Sequence, residues 1–301
     1  MTSTPTRKKI EDCTAVIVTE METPFSLIMP KTSRRSQVVV TSPHSGRRYP
    51  SEFVAQAALS LTELRRVEDA GMDRLLTFQP LPAPLLMAEF PRSFVDLNRR
   101  PKEIDSRMFD GPVPDASPVV TRYLRSGLGV IPGKAANQQQ IYDQSLPVDE
   151  ADYRLRGYYH PFHCQLAELI RDAGQIGPAL LVDCHSMPSD MFGVDGDIII
   201  GNNHGTAAAH EIVNEAVTFL SREGLDVRLN TPFAGGYITQ HYGRPRDGVS
   251  ALQIEISRAL YLDEAKLELK PGWEKLASIL CRFILQMDAL MTQIDAASRG
   301  R

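Results

Sequence analysis

Three short aliphatic runs, far apart in the chain, each lead into a side chain able to bind a metal or carry a proton. Val38-Val39-Val40 runs into Ser42-Pro43-His44-Ser45-Gly46, and Leu180-Leu181-Val182 runs into Asp183-Cys184-His185-Ser186. A third run, Ala251 to Ile256, carries Glu255 inside Gln253-Ile254-Glu255-Ile256. Runs this short and this rich in β-branched residues are expected as buried strands of a parallel sheet. Ligands of open α/β sheets sit beyond the carboxyl ends of the strands. Two histidines and a glutamate then converge on one crevice, the usual donor inventory of a hydrolytic zinc site.

The intervening segments read as helices and loops. Leu64, Val67, Leu75 and Phe78 share a face and predict a helix over 62–78, with Thr62 as its N-cap. Further helices are expected over 150–173, adjusted at Pro161, over 206–222 and over 273–294. Further strands are expected over 85–89, 93–97 and 197–201. Residues 1–36 read as an irregular N-terminal segment, and 101–147 as long loops forming a lid or wall. Strands alternating with helices give a single α/β domain over 37–301, with a mixed, mainly parallel sheet flanked by helices.

Composition removes several function classes. The 301 residues are 43% hydrophobic and 23% charged, with a formal net charge of -4. That balance suits an ordinary globular enzyme and not a sequence-independent nucleic-acid binder, which needs a basic face. No apolar run approaches the ~18–20 residues of a membrane span, and the N-terminus lacks the apolar core of a secretory signal. Cys13, Cys164, Cys184 and Cys281 form no C-x-x-C pair, so reduced thiols and a cytoplasmic protein are expected. Phosphate-binding glycine loops are absent as well.

Each candidate side chain has a bland reading beside the chemical one. His44 would otherwise cap a turn beside Gly46, and His185 would be a satisfied core histidine. Asp183, two residues earlier on the same strand, shares the face of His185 and offers it a carboxylate. Glu255 interrupts an apolar strand, where an unpaired charge costs several kcal/mol. It is therefore either a general base with a raised pKa or a structural partner of Arg258 or another arginine. The segment 90–100 concentrates Arg92, Asn98, Arg99 and Arg100, donors suited to a carboxylate, or else a solvated basic turn. Cys184 adjoins His185 but points to the opposite face, which excludes a Cys-His pair.

Taken together, Pro-His-Ser-Gly (43–46), Asp-Leu-Asn-Arg (96–99), Asp-Cys-His-Ser-Met (183–187), Asn-x-Pro-Phe-x-Gly-Gly (230–236) and Gln-Ile-Glu-Ile-x-Arg (253–258) resemble the N-formylglutamate amidohydrolase family. That family is similar in fold to the zinc carboxypeptidases and the aspartoacylases, and the resemblance spans roughly residues 37–265. It implies that His44 and His185 bind zinc and that Glu255 activates water at the metal. It also implies that Asn98 and Arg99 hold a substrate carboxylate and that Arg92 faces the oxyanion, with Arg258 a further substrate-binding candidate. The related His-x-x-Glu pattern is broken, because position 47 is Arg47. The acidic ligand is then expected from Glu68, Asp69 or Asp73 on the following helix, with Asp69 favoured.

The expected activity is zinc-dependent hydrolysis of N-formyl-L-glutamate to formate and glutamate, the last step of a histidine-degradation route. The partner expected is thus a small acidic N-acyl amino acid, with neither nucleic acid nor membrane involved. A zinc-dependent deacylase or carboxypeptidase for another acyl amino acid or peptide is the alternative within the same chemistry. A metal-free small-anion binding protein on a hydrolase fold is the alternative outside it.

Overall fold

Five of the six expected strands join two unexpected ones, at 25–28 and 227–229, in a seven-stranded sheet. A computed structural model describes residues 17–18, 23–32, 34–135, 138–189 and 196–299. In chain order the sheet strands are β1 Phe25–Ile28, β2 Val38–Ser42, β3 Leu85–Ala88, β4 Ala179–Met187, β5 Ile198–Gly201, β6 Val227–Leu229 and β7 Val249–Ser257. Their spatial order is β1-β3-β2-β4-β7-β5-β6. The four inner strands β3, β2, β4 and β7 are mutually parallel. Strand β1 runs antiparallel to β3, and β5 antiparallel to β7. The expected mixed, mainly parallel sheet is thus present.

Helices cover both faces. They are α1 Ser51–Gln56, α2 Leu61–Arg65, α3 Met72–Thr77, α4 Arg122–Arg125, α5 Val148–Arg154, α6 His160–Gly174, α7 His210–Arg222, α8 Tyr237–Tyr242 and α9 Trp273–Arg299. On one face Val38, Val40, Val182, Cys184, Ile254 and Ile256 pack with residues of α3, α7 and α9. On the other, Val39, Leu181 and Ala251 pack with α6. Along this second face the period of two turns polar toward the carboxyl ends: Val39 gives way to Thr41, Leu181 to Asp183 and His185, Ala251 to Gln253 and Glu255. A polar floor is thereby built onto an apolar sheet.

Four expectations need correction. The segment around 25–28, read as irregular, supplies edge strand β1. The helix expected over 62–78 is two helices separated by residues 66–71. Its N-cap is Ser60, in a reciprocal capping box with Glu63, and not Thr62. The break has a distant cause. Arg258 donates to the carbonyls of Arg66 and Glu68, Tyr261 donates to that of Ala70, and the Asp69 N–H donates to the His44 carbonyl. Backbone groups engaged this way cannot continue a helical ladder, and Gly71, at φ 78°, turns the chain into α3. Residues 93–97 form a turn and not a strand, because Phe94 N–H donates back to the Pro91 carbonyl and Asp96 N–H to that of Val130.

The remaining helices match with shifted bounds. Between α5 and α6 the chain widens into a π-helical turn over Leu155–Tyr159. Pro161 lies at the start of α6 and has no N–H to donate, which is the physical reason for an adjustment there. The described residues of 101–147 include a short 3-10 turn at Ser106–Met108 and α4, joined by loops. Among the described residues no helix is long and apolar enough to cross a membrane. Cys164, Cys184 and Cys281 are free thiols, while Cys13 lies outside the described residues.

Candidate active site

His44 sits two residues beyond β2. Its turn is fixed by Gly46, where an added Cβ would lie 2.2 Å from the Phe90 carbonyl oxygen. His185 projects from β4 and pairs in register with Glu255 on β7, one strand over. Asp69 reaches the same point from the break between α2 and α3. His44, Asp69 and His185 each offer one ligand atom, and those atoms lie within 4.8 Å of one another. All three residues are buried.

Hydrogen bonding selects which ring nitrogens face inward. His44 Nε2 lies 2.8 Å from Asp96 Oδ1, and His185 Nε2 lies 3.0 Å from Asp183 Oδ2. Protons placed on both Nε2 atoms turn the two Nδ1 atoms toward Asp69, where each can offer its lone pair to a metal or, when protonated, donate to the carboxylate. His185 Nδ1 is 3.1 Å and His44 Nδ1 3.6 Å from Asp69 Oδ2. His44 Nδ1 is buried without a hydrogen-bond partner, which costs free energy unless something binds there. A carboxylate behind each imidazole is the usual arrangement of metal-binding histidines. The donor set therefore fits a divalent transition metal.

The three acidic candidates separate by their partners. Asp73 accepts from Arg47 at 2.7 Å, and Glu68 accepts from the Tyr49 hydroxyl at 2.6 Å. Asp69 alone of the three meets the histidines. Burial disfavours its charge, but the neighbouring His185 and His44 rings outweigh that and hold its carboxyl well below the usual range. Burial likewise opposes the charge of Asp96, yet Arg92, Arg99 and His44 hold it well below that range. His185 is shifted the other way: burial disfavours its cation, and Asp183 and Asp69 more than compensate.

Glu255 lies beside the cluster with its Oε1 accepting from Gln253 Nε2 at 2.8 Å. Burial, with Asp69 and Asp183 adding to it, pushes its carboxyl up to about 7 against the opposing pull of His185 and Arg92. Its expected structural partner does not hold it. Arg258 donates instead to Ser186 Oγ and to the Arg66 and Glu68 carbonyls, and lies 3.7 Å from Asp69 Oδ1. That correction also removes Arg258 from the substrate-facing set, since its guanidinium holds the Asp69 turn.

Arg92 donates to Asp96 Oδ2 at 2.8 Å, and Arg99 lies 3.9 Å from the same oxygen. Their side chains are 26% and 11% exposed, so both border the crevice. Asn98 is engaged internally: its Oδ1 accepts from Ile238 N–H at 2.8 Å, and its Nδ2 faces His185 Nε2 and Gln253 Oε1. It braces the floor where a substrate-holding amide was expected. The residue to which the sequence reading gave no role is Asp96, the hub joining His44, Arg92, Arg99 and the Asn98 N–H. Its signal was available in Asp-Leu-Asn-Arg, where the acid stands two and three residues before the donors.

A metal-fitting triad, a buried carboxylate with a raised pKa and two guanidinium groups at one sheet edge are the parts of a hydrolase acting on an amide bond. Comparison with known proteins defines the family. The sequence pattern of the N-formylglutamate amidohydrolase family matches residues 36–262, and the chain belongs to that family. It is 31% identical over 244 residues to an N-formylglutamate deformylase of Pseudomonas aeruginosa, covering 76% of this chain and 84% of that protein. A protein of the same name from Pseudomonas putida is 28% identical over 242 residues, 77% and 84% of the two chains. The crystal structure of an N-formylglutamate amidohydrolase from Ralstonia eutropha JMP134 superposes with a TM-score of 0.83 at 31% identity, covering 90% of this chain and 99% of that one.

Proposed function

We propose that the protein hydrolyses N-formyl-L-glutamate to formate and L-glutamate, with zinc held by His44 Nδ1, Asp69 and His185 Nδ1. The observation that carries the reading is the buried, unpartnered His44 Nδ1 facing Asp69 and His185, with Glu255 on the neighbouring strand. The names of the relatives supply the substrate. When bound, zinc supplies Lewis-acid polarisation and favours ionisation of water near neutral pH. The chain's own groups do the rest. Glu255 removes a proton from the attacking water as its oxygen adds to the formyl carbon. Arg92 faces the oxyanion that develops on the formyl oxygen. As the C–N bond breaks, Glu255 returns the proton to the leaving nitrogen. Arg99 binds a carboxylate of the substrate and orients the amide, while Asn98 and Arg258 keep the floor and the Asp69 turn in place.

Charge supports an acidic substrate. Arg92 and Arg99 border the crevice, and a divalent cation held by His44, Asp69 and His185 would add positive charge beside them. An anionic substrate then suits the metal-loaded site. We place the reaction at the end of a histidine-degradation route, in the cytoplasm. Metal analysis of the purified protein, combined with a panel of N-formyl, N-acetyl and N-succinyl amino acids, tests the whole reading. Zinc near one equivalent with N-formylglutamate as the best substrate is expected. A metal-free protein that hydrolyses none of the panel overturns it.

A further inference from the structure

The wall segment before Gly129 presents an arrangement that the hydrolytic reaction does not by itself require. Tyr123, in α4, has the guanidinium of Arg99 stacked on its ring, with Cζ 4.0 Å from the centroid. The guanidinium of Arg122 also sits over that ring, with Cζ 4.7 Å from the centroid, and its Nη2 donates to the Tyr123 hydroxyl at 2.8 Å. Arg99 is further fixed by the Leu128 and Asn98 carbonyls. Leu128 in turn donates its N–H to the Tyr123 carbonyl, so the wall and the arginine form one unit. Cation-on-ring packing and carbonyl contacts orient the Arg99 guanidinium, whose Nη2 also lies 3.9 Å from Asp96 Oδ2, a carboxylate it shares with Arg92 and His44. Arg122 is exposed, and among the described residues no carboxylate pairs with it.

We propose that Arg99, Tyr123 and Arg122 form a reader of dicarboxylates, in which Arg99 takes the carboxylate beside the reacting amide and Arg122 the distal one. It rests on the assignment of Arg99 to a substrate carboxylate in the reaction above. The spacing fits. Two guanidinium carbons 4.0 and 4.7 Å from one ring centroid are at most about 8.7 Å apart. A five-carbon diacid holds its carboxyl carbons about 5 Å apart when extended, and each guanidinium–carboxylate contact adds further reach. Tyr123 is a positioning residue: its ring fixes the plane of Arg99, and its hydroxyl accepts from Arg122 and keeps that guanidinium over the same ring. A neutral side chain of equal length satisfies only Arg99. The element therefore selects N-acyl amino acids with an acidic side chain over their amides.

Calorimetric binding of glutarate and of its monoamide to the zinc-loaded protein tests this without turnover. The native protein should bind glutarate about tenfold or more tighter than the monoamide, the scale of one charged contact. Arg122→Met should erase that ratio and leave monoamide binding unchanged. Tyr123→Leu should weaken both ligands about tenfold, and Tyr123→Phe, which keeps the stack, should leave the monoamide unchanged. A ratio near one in the native protein, or a ratio that survives Arg122→Met, overturns the proposal, whereas a purely structural role for the wall would not move the ratio at all. Turnover of N-formylglutamate assayed in parallel separates the two readings. Turnover with a ratio indifferent to Arg122 defeats the reader alone. A ratio that depends on Arg122 without turnover defeats the reaction alone.

Discussion

At the scale of single residues, the site divides into groups that bind, groups that react and groups that hold the others. Glu255 is the proposed reacting group, and its raised pKa follows from burial between Ile254 and Ile256, with Asp69 and Asp183 adding to it. Glu255→Gln keeps its shape and its neighbour Gln253 while removing the proton acceptor. Turnover should fall by about 10²–10⁴-fold with zinc content unchanged; turnover at the parent rate would send the search for a base elsewhere. Asp96 belongs to the holding groups. It fixes the outer nitrogen of His44 and is flanked by two arginines. Asp96→Asn should lower zinc affinity by about 10–100-fold, read by competition with a chromophoric chelator. An unchanged affinity would reduce Asp96 to an anchor for Arg92. Arg99→Ala should act differently, raising KM by about 10–150-fold through loss of a charge-assisted contact worth roughly 1.5–3 kcal/mol.

At the scale of elements, the sheet delivers two of the three ligand positions and a packed turn delivers the third. Gly46 lets the turn after β2 lie against the Glu89–Phe90 backbone. Gly46→Ala forces that backbone apart and should cost about 1–3 kcal/mol of stability, the usual price of overpacking, together with zinc affinity, because His44 is two residues away. Denaturant unfolding with metal analysis checks both, and a variant of parental stability would contradict the close approach. Strand-borne groups were legible in the sequence because a period of two and a β-branched run are local signals. His44, His185, Asp183 and Glu255 all follow from them. Asp69 was readable as a candidate but not as a geometry. Its helix is broken by Arg258 and Tyr261, about 190 residues later in the chain, and no local pattern records a bond that distant. Strand β1 escaped for another reason: its four residues, in a stretch bounded by Pro24 and Pro30, carry too little periodicity, and pairing with β3 makes them a strand. Arg258 and Asn98 were assigned by motif to the substrate, yet the fold first engages the Arg258 donors with a backbone carbonyl and the Asn98 side-chain oxygen with the Ile238 N–H.

At the scale of the whole molecule, the proposed ligands lie at positions 44, 69 and 185, so one metal ion joins three segments that are separate in the unfolded chain. Binding energy is then folding energy. Metal at about 1,000 times its dissociation constant adds about 4 kcal/mol, which for a chain of 301 residues raises Tm by about 6 °C. The increment should depend on pH in a definite direction. In the metal-free protein His185 is held well above its ordinary pKa by Asp183 and Asp69 against burial, so its cation stabilises the fold fully below about pH 6.5 and that contribution fades as pH rises through the folded value. Asp69, held well below its ordinary pKa, contributes above about pH 4 and loses its contribution only in acid. Metal binding must displace the proton from His185, so the metal-free protein competes best near pH 5 and worst near pH 8. Thermal melts with zinc and with chelator should therefore show a Tm difference that grows from about pH 5 to about pH 8. His44→Ala, which leaves His185 and its carboxylates intact, should abolish most of that difference at every pH. A difference that is flat with pH, or one that persists in His44→Ala, would place the metal away from these three side chains.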